Sequence, residues 1–230
     1  MTTRLLLFDI DGTLVLTGGA GKRAISRAFH ELFGVADAFA GVSLSGRTDR
    51  YLVEQGLERS GVPVTADALA RVRERYLMRL AEAIHEPAHG IQAVLPGITR
   101  LLDALDDHAH VHCALLTGNY EAGARIKLEY FDLWRRFGWG AFGDDHAERD
   151  RIALAAVAEA PARGVALHDP RHAIVVGDTP FDVSCARAAG ARVIAVATGG
   201  HTTGELRECH PDAVFEDLSD LDAVLTAMDV

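Results

Sequence analysis

The stretch Leu5-Leu6-Leu7-Phe8-Asp9-Ile10-Asp11-Gly12-Thr13-Leu14 decides how this chain folds. Leu5 to Phe8 are four consecutive apolar residues. They read as a strand buried on both faces, because a sheet covered on each side needs an unbroken apolar run. Two carboxylates one residue apart follow, then Gly12-Thr13. In an extended chain Asp9 and Asp11 point to the same side. Like charges at the end of a buried strand are costly without a counter-cation or a shared proton. The pair therefore marks a candidate site.

Outward from this strand, Thr17-Gly18-Gly19-Ala20-Gly21 reads as a flexible glycine-rich linker. Residues 20–86 carry a helical pattern and no strand pattern. Ala24, Ile25, Ala28, Phe29, Leu32 and Phe33 share one helix face, and Gly34 stops it. Thr48 or Asp49 caps a second helix and Thr65 a third. Leu95-Pro96-Gly97 is a turn signal before a short helix. Beyond it strands at 111–116, 139–142, 173–176, 193–196 and 213–215 alternate with helices. That alternation predicts a parallel sheet with helices on both faces. The expected architecture is α/β: a Rossmann-like core made of residues 1–16 and 95–230, with a small all-helical cap at 17–94.

The chain has 230 residues, 49% of them hydrophobic, enough for a sizeable core. Its formal net charge of −10 disfavours nucleic acid and anionic membrane, which attract basic surfaces. An anionic ligand would need local cations. Cys113, Cys185 and Cys209 are too few and scattered for a disulfide framework, and no CxxC pair suggests zinc. No leader-like segment precedes the first strand and no apolar run approaches a membrane span. The expectation is a soluble, cytoplasmic protein of unspecified oligomeric state.

Ligands of open parallel sheets lie beyond the carboxyl ends of the strands. Three such ends here carry polar residues: Asp9 and Asp11; Thr117, Gly118 and Asn119; Asp178, Thr179 and Asp182. The fold brings all three to one edge. Asp9 there suits a carboxylate nucleophile in an exposed position, and Asp11 a general acid and base. So many carboxylates at one edge call for a hard divalent cation, most simply Mg²⁺.

These segments resemble the motifs of the haloacid dehalogenase superfamily. Residues 9–13 are similar to its DxDGT nucleophile motif, residues 115–119 to its second motif, and Gly177-Asp178-Thr179-Pro180-Phe181-Asp182 to GDxxxD. The family's third motif is a Lys or Arg between these, for which Arg149 and Arg151 are both candidates, Arg149 fitting better just ahead of a helix. The resemblance spans the chain, the helical insert matching the family's cap. It implies hydrolysis of a small phosphorylated metabolite, as in the phosphoglycolate phosphatase group. It implies Mg²⁺ held by Asp9, Asp178 and the Asp11 carbonyl, with Asp182 a ligand through water or a supporting group. Gly12 keeps backbone N–H groups near the phosphate, Thr117, Gly118 and Asn119 bind phosphoryl oxygens, and Arg149 offsets transition-state charge. Asp11 favours a phosphatase over a dehalogenase, whose halide leaves without a proton. Lys22 keeps a phosphonate hydrolase open, and a silent phosphate- or partner-binding protein is the rival of another class. Arg47 in the cap loop is a candidate contact to an anionic substrate.

Overall fold

The structure, a computed structural model, describes residues 2–144 and 146–230. The strands are β1 (Arg4–Phe8), β2 (Val15–Thr17), β3 (Gln92–Val94), β4 (Val111–Leu116), β5 (Gly140–Ala141), β6 (Ala173–Gly177), β7 (Arg192–Val196) and β8 (Ala213–Phe215). Six of them form one parallel sheet in the order β5-β4-β1-β6-β7-β8. The apolar runs explain its middle. Leu6 and Phe8 join Ile174, Val176 and Ile194 in a hydrophobic cluster on one face. Leu5 and Leu7 join Ala114, Val175 and Val193 on the other. Both faces of the central strands are dry, so alternation of polar and apolar residues is absent there. Helices α4 (Ile98–Asp106), α5 (Glu121–Tyr130) and α9 (Leu221–Met228) cover the first face, and α6 (Arg149–Glu159) and α7 (Pro180–Ala188) the second. A short α8 (Thr203–Glu208) leads into β8.

Register brings the site together. Phe8 is level with Leu115 on one side and Val176 on the other. The residues just past these positions therefore emerge at the same edge: Asp9 and Asp11 after β1, Thr117 to Asn119 after β4, Asp178 after β6.

Residues 20–84 form α1 (Ala20–Phe33), α2 (Asp49–Arg59) and α3 (Ala66–Ala83). They bury a cluster of their own, including Ile25, Phe29, Val53, Leu57, Val72 and Leu80, which Tyr120 from the β4–α5 loop completes. Thr48, rather than Asp49, is the N-cap of α2, its hydroxyl accepting from Tyr51 N at 3.1 Å. Thr65 caps α3 through Ala68 N at 3.2 Å. The connection to the sheet differs from the expected loose linker. Thr17 lies in β2, which pairs antiparallel with β3, and α1 starts at Ala20. The segment thus hangs on a two-stranded ribbon, whose crossing hydrogen bonds replace the freedom that Gly18 and Gly19 suggest. No helix among the described residues is long and apolar enough to cross a membrane.

Candidate active site

The sheet edge and the helical segment enclose a cavity of about 370 Å³ that Asp9, Asp11, Thr117, Asn119, Lys127, Arg149 and Asp178 line from below. Asp9 is buried rather than exposed as expected, because α1 and α2 roof the strand end. Its carboxylate meets the Arg149 guanidinium at 3.0 Å. Arg149 opens α6 and also contacts Asp182 at 2.5 Å. Arg151 lies exposed with Glu148 nearby, so of the two candidates Arg149 is the one at the site.

Asp182 is fully buried and both its oxygens are engaged. One accepts from Thr179 N at 2.9 Å and Thr179 Oγ1 at 2.7 Å, and the other takes Arg149. Thr179 is the N-cap of α7 and Asp182 its third residue, so the second Asp of GDxxxD first serves to cap a helix. Both oxygens of Asp182, expected as a ligand through water or a supporting group, are thus taken up by protein donors. Asp178 is freer: among the described residues its side chain accepts only from Thr13 Oγ1, at 3.2 Å.

Asp9, Asp178 and Asp182 present oxygens within 4.8 Å of one another. Burial raises the Asp9 pKa to about 6, with Arg149 opposing and Asp182 and Asp11 adding to the rise. Burial, then the charges of Asp182 and Asp9, raise Asp178 to about 8. Near the cavity four carboxylates (Asp9, Asp49, Asp178, Asp182) are buried against two cations, Lys127 and Arg149. This excess of oxygen donors suits a hard divalent cation. The chain also leaves room for one beside Asp178. Gly12 has φ +86°, and a Cβ there would lie 2.5 Å from Asp178 Oδ2.

Asp11 lies on the other wall. Its Oδ2 accepts from Lys127 Nζ at 2.6 Å and from Asn119 Nδ2 at 2.9 Å. Asn119 also donates to Thr117 Oγ1 at 2.7 Å, and its Oδ1 accepts from Lys127 at 2.6 Å. The Asn119 amide is thus committed to protein partners, which departs from its expected role as a phosphoryl donor. Thr117 is buried at the end of β4, beside the cavity. Lys127 is the residue that sequence reading missed. Its signal is positional: Gly123, Ala124, Lys127 and Leu128 make the buried stripe of α5, so the lysine occupies an inward slot. Burial works against its ammonium, but Asp11 and Asp49 outweigh that and raise its pKa.

The helical segment docks through residues 46–49. Asp49 N donates to Gly118 O at 2.7 Å, and the Asp49 carboxylate accepts from Tyr120 N at 2.8 Å. Burial lifts the pKa of this carboxyl to about 6, with Lys127 opposing. Thr48 Oγ1 donates to Ala147 O at 2.8 Å. Arg47 is exposed, its guanidinium 4.8 Å from the Tyr51 ring centre and 4.4 Å from that of Phe181. It lines the cavity from the rim while stacked across the junction, and Lys22 also lies on the lining. This docking requires a glycine at position 118. A Cβ on it would lie 2.7 Å from Arg47 O and 2.8 Å from Thr48 Cα, both backbone atoms that cannot swing aside. Gly118→Ala is therefore expected to loosen the junction. Losing one backbone hydrogen bond costs about 1 kcal/mol, so protection of the Asp49 amide against hydrogen exchange should drop by about fivefold. Unchanged protection would show that the junction yields without cost.

A family model for haloacid dehalogenase-like hydrolases matches residues 6–187. Phosphoglycolate phosphatase 1 of Pseudomonas aeruginosa is 28% identical over 227 residues, which is 95% of this chain and 78% of that protein. Phosphoglycolate phosphatase of Pseudomonas syringae pv. syringae is 30% identical over 228 residues, with coverage of 95% and 78%. Among solved structures, CbbY from Rhodobacter sphaeroides in complex with phosphate has the same fold, with a TM-score of 0.73, 20% identity and full coverage of both chains. The matched span runs from β1 into the end of α7 and so contains every acidic residue at the sheet edge together with Arg149. This chain belongs to the haloacid dehalogenase-like hydrolases.

Proposed function

We propose that the chain hydrolyses small phosphate monoesters in a Mg²⁺-dependent reaction, with residues 17–94 acting as a cap over a core of 1–16 and 95–230. The observation that carries this reading is the division of labour between the first two carboxylates. Asp9 lies against Arg149 and Asp178, whereas Asp11, two residues on, is held separately by Lys127 and Asn119.

In this reading Asp9 attacks phosphorus, and the phosphoryl group moves from the ester oxygen to an Asp9 oxygen. Asp11 gives its proton to the departing alkoxide. A water then attacks the aspartyl phosphate and its proton returns to Asp11, which leaves inorganic phosphate and a free Asp9. Arg149, 3.0 Å from Asp9 Oδ1, faces the charge that develops on the phosphoryl oxygens. Thr117 supplies a hydroxyl at the same edge. Asp9, Asp178 and the Asp11 carbonyl would hold Mg²⁺, which when bound neutralises the repulsion between these carboxylates and the phosphoryl oxygens.

The relatives named phosphoglycolate phosphatase put 2-phosphoglycolate first in a panel of small phosphorylated metabolites. Phosphate release from at least one member, dependent on Mg²⁺, is the expected outcome. No release from any member or from p-nitrophenyl phosphate would favour a silent binding protein on this fold.

A further inference from the structure

We propose that Lys127 is a positioning residue for Asp11, holding one oxygen of that carboxylate so that the other is presented to the leaving group. The proposal rests on the phosphatase reading above, and goes beyond it to a residue outside the motif segments.

Burying an ammonium is expensive unless it is paired and hydrogen-bonded. Lys127 is only 4% exposed on a core helix, so the fold must recover that cost from its partners. Both partners belong to the cavity wall. Nζ donates at 2.6 Å to Asp11 Oδ2 and at 2.6 Å to Asn119 Oδ1. Asn119 Nδ2 closes the ring by donating to the same Asp11 Oδ2 at 2.9 Å. One carboxylate oxygen thus carries two donors, while Oδ1 takes no hydrogen bond among the described residues. Charge-assisted bonds of this length fix orientation tightly. The Asp11 side chain is 43% exposed, so solvent contact alone would let it rotate. Two long-range anchors prevent that, one from the end of β4 and one from α5.

The lysine also reaches toward the roof. A Cβ on Gly21 in α1 would lie 3.8 Å from Nζ and 3.8 Å from Tyr76 Oη. Tyr76 donates to Asp49 at 3.4 Å. The anchor of Asp11 is therefore packed under the docked segment, where closure keeps water from competing for it.

A residue that acts through a general acid matters most when the leaving group needs a proton. Lys127→Met keeps the aliphatic stem and removes the donor. Its kcat/KM should fall by about 100-fold on phenyl phosphate, the scale of a misplaced reacting group. On p-nitrophenyl phosphate, whose leaving group departs unprotonated, the loss should stay under about tenfold. In an Asp11→Asn background the same substitution should have no further effect on phenyl phosphate, since there is no acid left to position. Should Lys127→Met fail to fold, Lys127→Leu, smaller and equally without a donor, carries the same comparison. Equal losses on the two esters, or losses that simply add to those of Asp11→Asn, would make Lys127 a structural cation and overturn the proposal. A wild-type protein inactive on both esters would instead overturn the phosphatase reading, and this role with it.

Discussion

Asp9→Asn is expected to leave a folded protein that releases no phosphate. The amide has nearly the size and shape of the carboxylate but cannot act as a nucleophile toward phosphorus. Loss of a covalent nucleophile costs roughly 10⁴-fold or more in kcat. The fold should tolerate the change, because Asp9 is a buried acid whose ionisation is opposed by burial and by Asp182. Arg149 loses one anionic partner at 3.0 Å but keeps Asp182 at 2.5 Å. Melting at pH 8 should therefore be unchanged or higher, a gain in stability where function is given up. The decisive comparison is turnover of p-nitrophenyl phosphate alongside a thermal melt. A folded Asp9→Asn protein working within about a hundredfold of wild type would remove Asp9 from the nucleophile's role.

The central sheet was legible because strands buried on both faces must be apolar at every position. Leu5 to Phe8 and Ile174 to Val176 carry that pattern without interruption. Convergence of Asp9, Thr117 and Asp178 followed from parallel strands alone, and the register realises it. The β2–β3 ribbon was not legible. Each strand has three residues, and their pairing joins Val15 to Val94 across the whole helical segment, so no local period announces it.

The site divides the same way. Asp9, Asp11 and Asp178 lie in segments whose local sequence is unusual for a strand end. Lys127 lies in a helix where a lysine near the C-terminus has an ordinary reading as a cation satisfying the helix dipole. Only tertiary closure turns it inward. Asn119 and Asp182 illustrate the opposite limit. Their residue types suited phosphate and metal, but lone pairs and N–H groups are finite. In the folded chain they are taken by Asp11, Thr117 and Lys127 for one, and by Thr179 and Arg149 for the other. Sequence can nominate a donor, but it does not say which neighbour will claim it.

Removing divalent metal is expected to abolish activity and to make the protein less stable as pH rises. Asp9 is held at about 6 and Asp178 at about 8, both above the value near 4 that an unfolded Asp has. Between about pH 4 and pH 8 the metal-free folded chain thus binds more protons than the unfolded one. Stability from these groups is present below pH 4 and is lost as pH climbs through their folded values. The loss from Asp9 and Asp178 should show as a Tm that falls across that pH range. A divalent cation competes with those protons for the same oxygens, so its stabilisation grows as they leave. Mg²⁺ added to chelator-treated protein should raise Tm more at pH 8 than at pH 5, and should restore turnover. Ca²⁺ should raise Tm as well but support turnover poorly, because its looser coordination spoils alignment for in-line attack. Asp178→Asn should shrink both the pH-dependent loss and the Mg²⁺-dependent gain, which separates these carboxyls from other titrating groups. A chelated protein that grows more stable from pH 5 to pH 8, or an equal Mg²⁺ effect at the two values, would mean that the buried carboxylates are not the metal's seat.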